Sequence, residues 1–188
     1  MPRSLDQTLV LKAIQKTGAY LAGQEALGSI QVIIAGGVAG LLGEYLIQSR
    51  TTFDCDVLND IDDERWGVLQ EAVAKVAVDL DLPEAWLNRD SRIYQNSFAL
   101  GWEDRAVEVG QYGPLDIRII SRKDLIASKI ISAVVRQYDY EDLQTIQPSK
   151  EELDFAAEHI DRLEVEDLEA KCYGKERAIL ESLRGGQG

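Results

Sequence analysis

The sequence predicts a mixed α/β core followed by a helical C-terminal region. Three observations support this. A short β-branched run, Ile30 to Ala35, is bounded by glycine and reads as a buried strand. Apolar and polar residues alternate in Leu115 to Ile120, as in a strand with one polar face. From Arg122 onward the apolar spacing is helical throughout. The division expected is therefore a core over residues 1–121 and a helical region over 122–188, packed on that core.

In chain order, Ser4 to Glu25 carries Leu5, Leu9, Ala13, Ile14, Leu21 and Ala22 at helical spacing, with Ser4 as the expected cap. After the Ile30–Ala35 strand, residues 37–48 read as a short helix and Thr52 to Leu58 as a second strand. Asp62 or Asp63 caps a helix running to about Leu80, with Trp66, Leu69, Val73, Val76 and Ala77 on one face. Leu82 to Ser97 reads as a linking loop. Phe98 to Trp102, Ala106 to Val109 and Leu115 to Ile120 are strand candidates, separated by turns at Asp104-Arg105 and Gly110 to Pro114. Ser121 can cap the next helix. Ser149 and Glu152 form a capping box directly after Pro148. The last helix is expected from about Val165 to Leu183.

Composition bounds the function. The chain has 188 residues, 45% of them hydrophobic, which is ample for a packed core. Its net charge of −13 argues against non-specific binding of duplex nucleic acid, because that affinity comes from Lys and Arg releasing counterions. A nucleotide held through a divalent cation is compatible with this charge. No apolar run approaches a membrane span, and the N-terminus lacks the apolar core of a signal peptide. Cys55 and Cys172 form neither a disulfide framework nor a metal-ligand spacing, so a cytoplasmic location is expected. Cys55, flanked by Asp54 and Asp56, reads as a small buried hydrophobe.

The chemistry points to Ile33–Leu58. A Gly-Gly turn (Gly36, Gly37) follows a strand and opens a helix. The backbone there can approach a phosphate, and the helix start offers free N–H groups. Asp54 and Asp56, at alternate positions of the next strand, would share one face and supply two ligands to a metal ion. Metal-assisted phosphoryl or nucleotidyl transfer is the chemistry such a pair serves. The competing account of an isolated Asp-x-Asp is the solvated face of an edge strand, and the glycine turn shifts the balance. Asp116, on the polar face of Leu115–Ile120, is the best third carboxylate, and Glu108 is the second choice. Arg50 and Lys129 are the cations that could offset triphosphate charge. Lys129 interrupts an apolar helix face, where it would contact a phosphate or snorkel to solvent. Arg136, Asp139 and Asp142 recur every three residues, a spacing that surface ion pairing explains by itself.

Other readings fit less well. Ala35 replaces the first glycine of a dinucleotide-binding fingerprint, and only one β-α unit is convincing. Arg65 stands where a calcium loop beginning at Asp60 needs glycine. The single histidine, His159, lies in a charged helix and reads as a surface residue, so nucleophilic triads have little support.

With the fragments Gly36–Ala39, Arg50–Asp56, Leu82–Asn88, Arg122–Lys129 and Arg136–Leu143 in this order, the chain resembles the minimal nucleotidyltransferase superfamily. More narrowly, it is similar to AbiEii-type toxins and related DUF6036-like nucleotidyltransferases. The resemblance implies a nucleotidyltransferase-like mixed sheet flanked by helices. It implies Mg²⁺ on Asp54, Asp56 and Asp116, phosphates at Gly36 and Gly37, and Lys129, Asp139 and Asp142 flanking the site. It further implies a nucleoside triphosphate as donor and an acceptor hydroxyl on a protein, a tRNA or a small molecule. A cognate protein partner of toxin–antitoxin type would fit as well. The non-catalytic alternative is the same fold used as a protein-interaction or antitoxin-like module.

Overall fold

The computed structural model describes residues 3–23, 28–47, 50–166 and 172–186. It contains α1 (Gln7–Leu21), β1 (Ile30–Ile34), α2 (Gly36–Leu42), β2 (Cys55–Asp56), α3 (Asp63–Leu80), β3 (Leu87–Asn88) and a 3₁₀ helix (Asp90–Ser97). Then follow β4 (Val107–Tyr112), β5 (Leu115–Ile119), α4 (Arg122–Ser132), α5 (Gln137–Ile146), α6 (Lys150–Glu166) and α7 (Gly174–Gly185). This is the mixed α/β class with a helical C-terminal part. The chain divides into two compact units, one of Met1–Gln95 with Glu103–Ile120, the other of Asn96–Trp102 with Ser121–Gly188.

In the first unit the sheet order is β1-β5-β4. β1 and β5 are parallel, with Gln31 opposite Asp116 and Ile33 opposite Arg118. β4 is antiparallel to β5 and bulges between Glu108 and Gly110. β5 alternates as read from sequence: Leu115, Ile117 and Ile119 are buried, while Asp116 and Arg118 are half-buried. β2 and β3 form a separate parallel pair. An antiparallel bridge between Ile34 and Val57 brings that pair beside β1. Where β2 ends, the buried Asn59 extends the ladder with its side chain. Its amide oxygen accepts from Ile33 N–H at 2.6 Å and its amide nitrogen donates to the Gln31 carbonyl at 3.0 Å.

α1 packs on α3, α2 and β4. Its N-cap is Asp6, which accepts from Leu9 N–H at 2.7 Å, and not Ser4 as expected. Leu5 is instead engaged in a bridge to Thr52. Where α1 crosses the β4–β5 turn the backbones nearly touch. A Cβ on Gly18 would lie 2.2 Å from the Tyr112 carbonyl oxygen, and one on Gly113 would lie 2.6 Å from that of Gly18. Only glycine fits both positions. Trp86 fills the core beneath α3, fully buried, with its indole N–H donating to the Val73 carbonyl.

The second unit is built on α4, which packs against α5, α6 and α7. Ser121 caps α4 as expected. The capping box at α6 is reciprocal, Ser149 N–H to the Glu152 carboxylate at 2.8 Å and Glu152 N–H to the Ser149 hydroxyl at 3.3 Å. Phe98–Trp102 is not a strand. Two α6 side chains bond the carbonyls that a ladder would use, His159 at Ser97 and Arg162 at Phe98, and Gly101 turns the segment at φ 73°.

Several element boundaries differ from the sequence reading. The helix expected over residues 37–48 ends at Leu42. The second strand shrinks to Cys55–Asp56, with isolated bridges at Thr52 and Val57. The turn expected over Gly110–Pro114 is mostly strand, because the bulge absorbs Gly110. The expected loop of residues 82–97 holds β3 and the 3₁₀ helix. The last helix, expected from about Val165, is α7 and begins at Gly174; α6 runs on to Glu166, and residues 167–171 lie outside the described residues.

Candidate active site

The site lies at the C-terminal end of β1, in the first unit. Gly36 adopts φ 65°, a conformation that L side chains avoid, and a Cβ on it would stand 3.1 Å from Asp56 Oδ2. The turn is thus pressed against the Asp56 carboxylate. A Cβ on Gly37 would meet Thr52 at 3.4 Å. The N-cap of α2, Ala35, has no side chain able to cap, and its own N–H donates to the Asp56 carbonyl at 2.9 Å. Those contacts hold β2 against the turn.

Asp54, one residue before β2, is exposed, while Cys55 is fully buried and Asp56 half-buried. Burial, followed by the charges of Asp56 and Asp54, pushes the Cys55 thiol well above its ordinary pKa, so it stays a protonated core residue. Each carboxylate accepts from a hydroxyl. Thr52 Oγ1 donates to Asp54 Oδ1 at 3.0 Å, and Ser91 Oγ donates to Asp56 Oδ1 at 2.9 Å.

Asp116 lies elsewhere on the sheet. It is opposite Gln31, whereas the Asp56 backbone carbonyl bonds Ala35, four residues further on and just past the end of β1. At about 3.3 Å per residue that is about 13 Å along the strand, too far for one ion bound at about 2 Å to span. Asp116 is instead engaged by Arg118 Nε at 3.2 Å and Gln31 Nε2 at 3.4 Å. Arg118, nearer the turn on the same polar strand face, is where a third carboxylate would be better placed. Glu108 is exposed and sits opposite Arg118. The structure therefore does not bring the expected third carboxylate to the Asp pair. Among the described residues, no cluster of three or more His, Cys, Asp or Glu side chains could hold a metal ion. Two carboxylates are still a sufficient protein donor set for Mg²⁺, which takes hard oxygen ligands and often completes its shell with substrate phosphates and water. The recess at Gly36, which a Cβ would fill, suits such a group.

The Arg50 guanidinium donates to the Thr51 carbonyl. Lys129 belongs to the second unit. It is buried, with Nζ 2.7 Å from Asp139 and 2.6 Å from Asp142. Ser132 Oγ adds a bond to Asp139 at 2.8 Å. The surface ion pairing expected of Asp139 and Asp142 is corrected: both are buried and neutralise Lys129, which neither snorkels nor presents a bare ammonium. His159 is likewise buried. Its Nε2–H donates to the Ser97 carbonyl and its Nδ1 accepts from Arg162, an arrangement only the neutral ring can satisfy. Burial, then the Arg162 charge, lowers its pKa.

The sequence reading missed Thr52 and Ser91. Thr52 stands two residues before Asp54, so the Thr-x-Asp spacing is a usable signal. Ser91 is 35 residues from Asp56 in the chain, and nothing local marks it.

The site is thus a glycine turn backed onto a short carboxylate-bearing strand in a mixed α/β unit. A family model described as nucleotidyltransferase of unknown function (DUF6036) matches residues 11–176. The chain belongs to that family. Comparison with curated proteins found no match, and neither did comparison with solved structures. Among the described residues, no helix is long and apolar enough to cross a membrane.

Proposed function

We propose that the protein is a Mg²⁺-dependent nucleotidyltransferase that moves a nucleoside monophosphate from a nucleoside triphosphate to an acceptor hydroxyl. The observation that carries this reading is the contact of the Gly36 turn with the Asp56 carboxylate. It sets a side-chain-free stretch of backbone beside an acidic pair. Asp54 and Asp56 would hold the metal ion, which would offset the charge developing on the phosphates. Gly36 and Gly37 let the backbone approach the phosphates. Thr52 and Ser91 orient the two carboxylates. Arg50 is the cation of this unit assigned to the triphosphate. Lys129 has no part in the reading, because two carboxylates already neutralise it. The acceptor belongs to a protein, a tRNA or a small molecule. Pairing with a cognate antitoxin-like protein extends the proposal, on the resemblance to AbiEii-type toxins.

Calorimetric titration of each nucleoside triphosphate, with and without Mg²⁺, tests the reading. Mg²⁺-dependent binding that is lost in Asp54→Ala/Asp56→Ala supports it. Binding that ignores Mg²⁺ or survives in the double variant refutes it.

One observation favours a second reading. The absence of a third acidic ligand beside the pair, among the described residues, suits a catalytically inactive nucleotidyltransferase fold that serves protein interaction. A well-folded protein that binds no nucleotide would select it.

A further inference from the structure

We infer that Ser91 is the positioning residue for Asp56, holding that carboxylate in the orientation needed to bind a divalent cation. The inference rests on the proposed nucleotidyltransferase reading. One Asp56 oxygen is hydrogen-bonded and the other faces the glycine turn. Asp56 Oδ1 accepts from Ser91 Oγ at 2.9 Å, and Oδ2 is the oxygen a Gly36 Cβ would approach to 3.1 Å. The hydroxyl fixes the carboxylate's rotation about χ2, and so fixes which oxygen faces the turn. A carboxylate ligand free to rotate would pay ordering entropy each time it captured an ion.

The chain goes to some length to deliver this hydroxyl. β2 and β3 are only two residues each, yet they pair in parallel with Asp56 opposite Asn88. Cys55 N–H donates to the Trp86 carbonyl at 2.7 Å and Val57 N–H to that of Asn88 at 2.8 Å. The Asn88 side chain then accepts from Asp90 N–H at 2.9 Å, an Asx turn that starts the 3₁₀ helix. Ser91 is the next residue. The short strand pair thus reads as a bracket that places one hydroxyl on one carboxylate. Thr52 does the same for Asp54 from two residues away, so each member of the pair has its own hydroxyl.

The test titrates Mg²⁺ complexes of ATP, GTP, CTP and UTP into the full chain. Wild type, Ser91→Ala, Ser91→Thr and Asp54→Ala/Asp56→Ala are compared over a range of Mg²⁺ concentrations, and thermal unfolding is followed without metal. The expected result for Ser91→Ala is a loss of about 10- to 100-fold in Mg²⁺-dependent affinity for the preferred nucleotide. Raising Mg²⁺ should recover that loss, the metal-free melting temperature should be unchanged, and Ser91→Thr should restore most of the affinity. Wild-type affinity in Ser91→Ala at every Mg²⁺ concentration would overturn the inference. So would a loss that Mg²⁺ cannot recover. In both cases the nucleotide-site reading survives as long as the double alanine variant fails to bind. If the double variant binds like wild type, or wild type binds no nucleotide, the reading fails and the inference fails with it.

Discussion

Two pairs of aspartates, one in each unit, are placed in opposite environments. Asp54 and Asp56, two residues apart, sit at the rim of a sheet, one exposed and one half-buried, each bonded to a neutral hydroxyl. Asp139 and Asp142, three residues apart, are buried in a helical unit and share the ammonium of Lys129. The first pair reaches the surface, and on the proposed reading it is where a cation is captured and released. The second pair has a resident cation that burial makes permanent. If the first pair binds a cation as proposed, burial, and not residue type or spacing, is what separates a ligand pair from a structural one.

The comparison can be broken most severely at the double substitution Asp54→Ala/Asp56→Ala. It should abolish Mg²⁺-dependent nucleotide binding and transfer while the chain still unfolds cooperatively in urea, at a cost of about 1–2 kcal/mol for the lost hydroxyl bonds. Persisting transfer would put the chemistry elsewhere.

Lys129→Met should do the reverse. It leaves two buried carboxylates without their cation and should cost about 3–5 kcal/mol of stability, read from the urea midpoint. A variant as stable as wild type would show that these carboxylates reach water or another cation.

Gly36→Ala tests whether the turn is as tight as the contacts imply. The positive φ and the 3.1 Å approach to Asp56 predict a loss of about 1–3 kcal/mol, with nucleotide affinity falling further than stability alone explains.

A gentler probe is pH. The pKa of His159 is lowered in the folded state, so the unfolded chain takes up the proton first. Its contribution to stability is therefore complete above the ordinary pKa of about 6.5 and is lost as pH falls below it. Unfolding curves from about pH 7 to pH 5 should show a decline that His159→Gln flattens, since an amide can supply one donor and one acceptor without titrating. An equal decline in the variant would assign the effect to other groups.

The smallest effect is expected at the α6 cap, where Ser149→Ala should cost about 1 kcal/mol and leave nucleotide binding untouched.

Much of this was legible in the sequence where the determinants are local. The Ser149–Glu152 box, the Ser121 cap, the β1 run and the alternation of β5 depend on residues within a turn or a strand of one another. They appear in the structure as read. The glycine turn and the Asp pair were legible for the same reason, since backbone freedom and strand alternation are short-range properties. Asp116 shows where this stops. Its polar position on β5 was read correctly, but its distance from Asp56 depends on the register between β1 and β5, which no single strand encodes. Phe98–Trp102 has a strand-like composition, yet α6 side chains far along the chain take its carbonyls.

By itself, then, the sequence determined the α/β class, the helical C-terminal region, the caps of α4 and α6, and the acidic pair beside a glycine turn. Backbone propensity and apolar periodicity act over a few residues and need no partner to be read. Tertiary structure decided which charges are sheltered and which face water, because desolvation depends on what packs around a group. It buried Lys129 with Asp139 and Asp142, hid His159 beneath the Ser97 carbonyl, and separated Asp116 from the pair. It also brought Ser91 to Asp56 across 35 residues, a contact that exists only once β2 and β3 have paired.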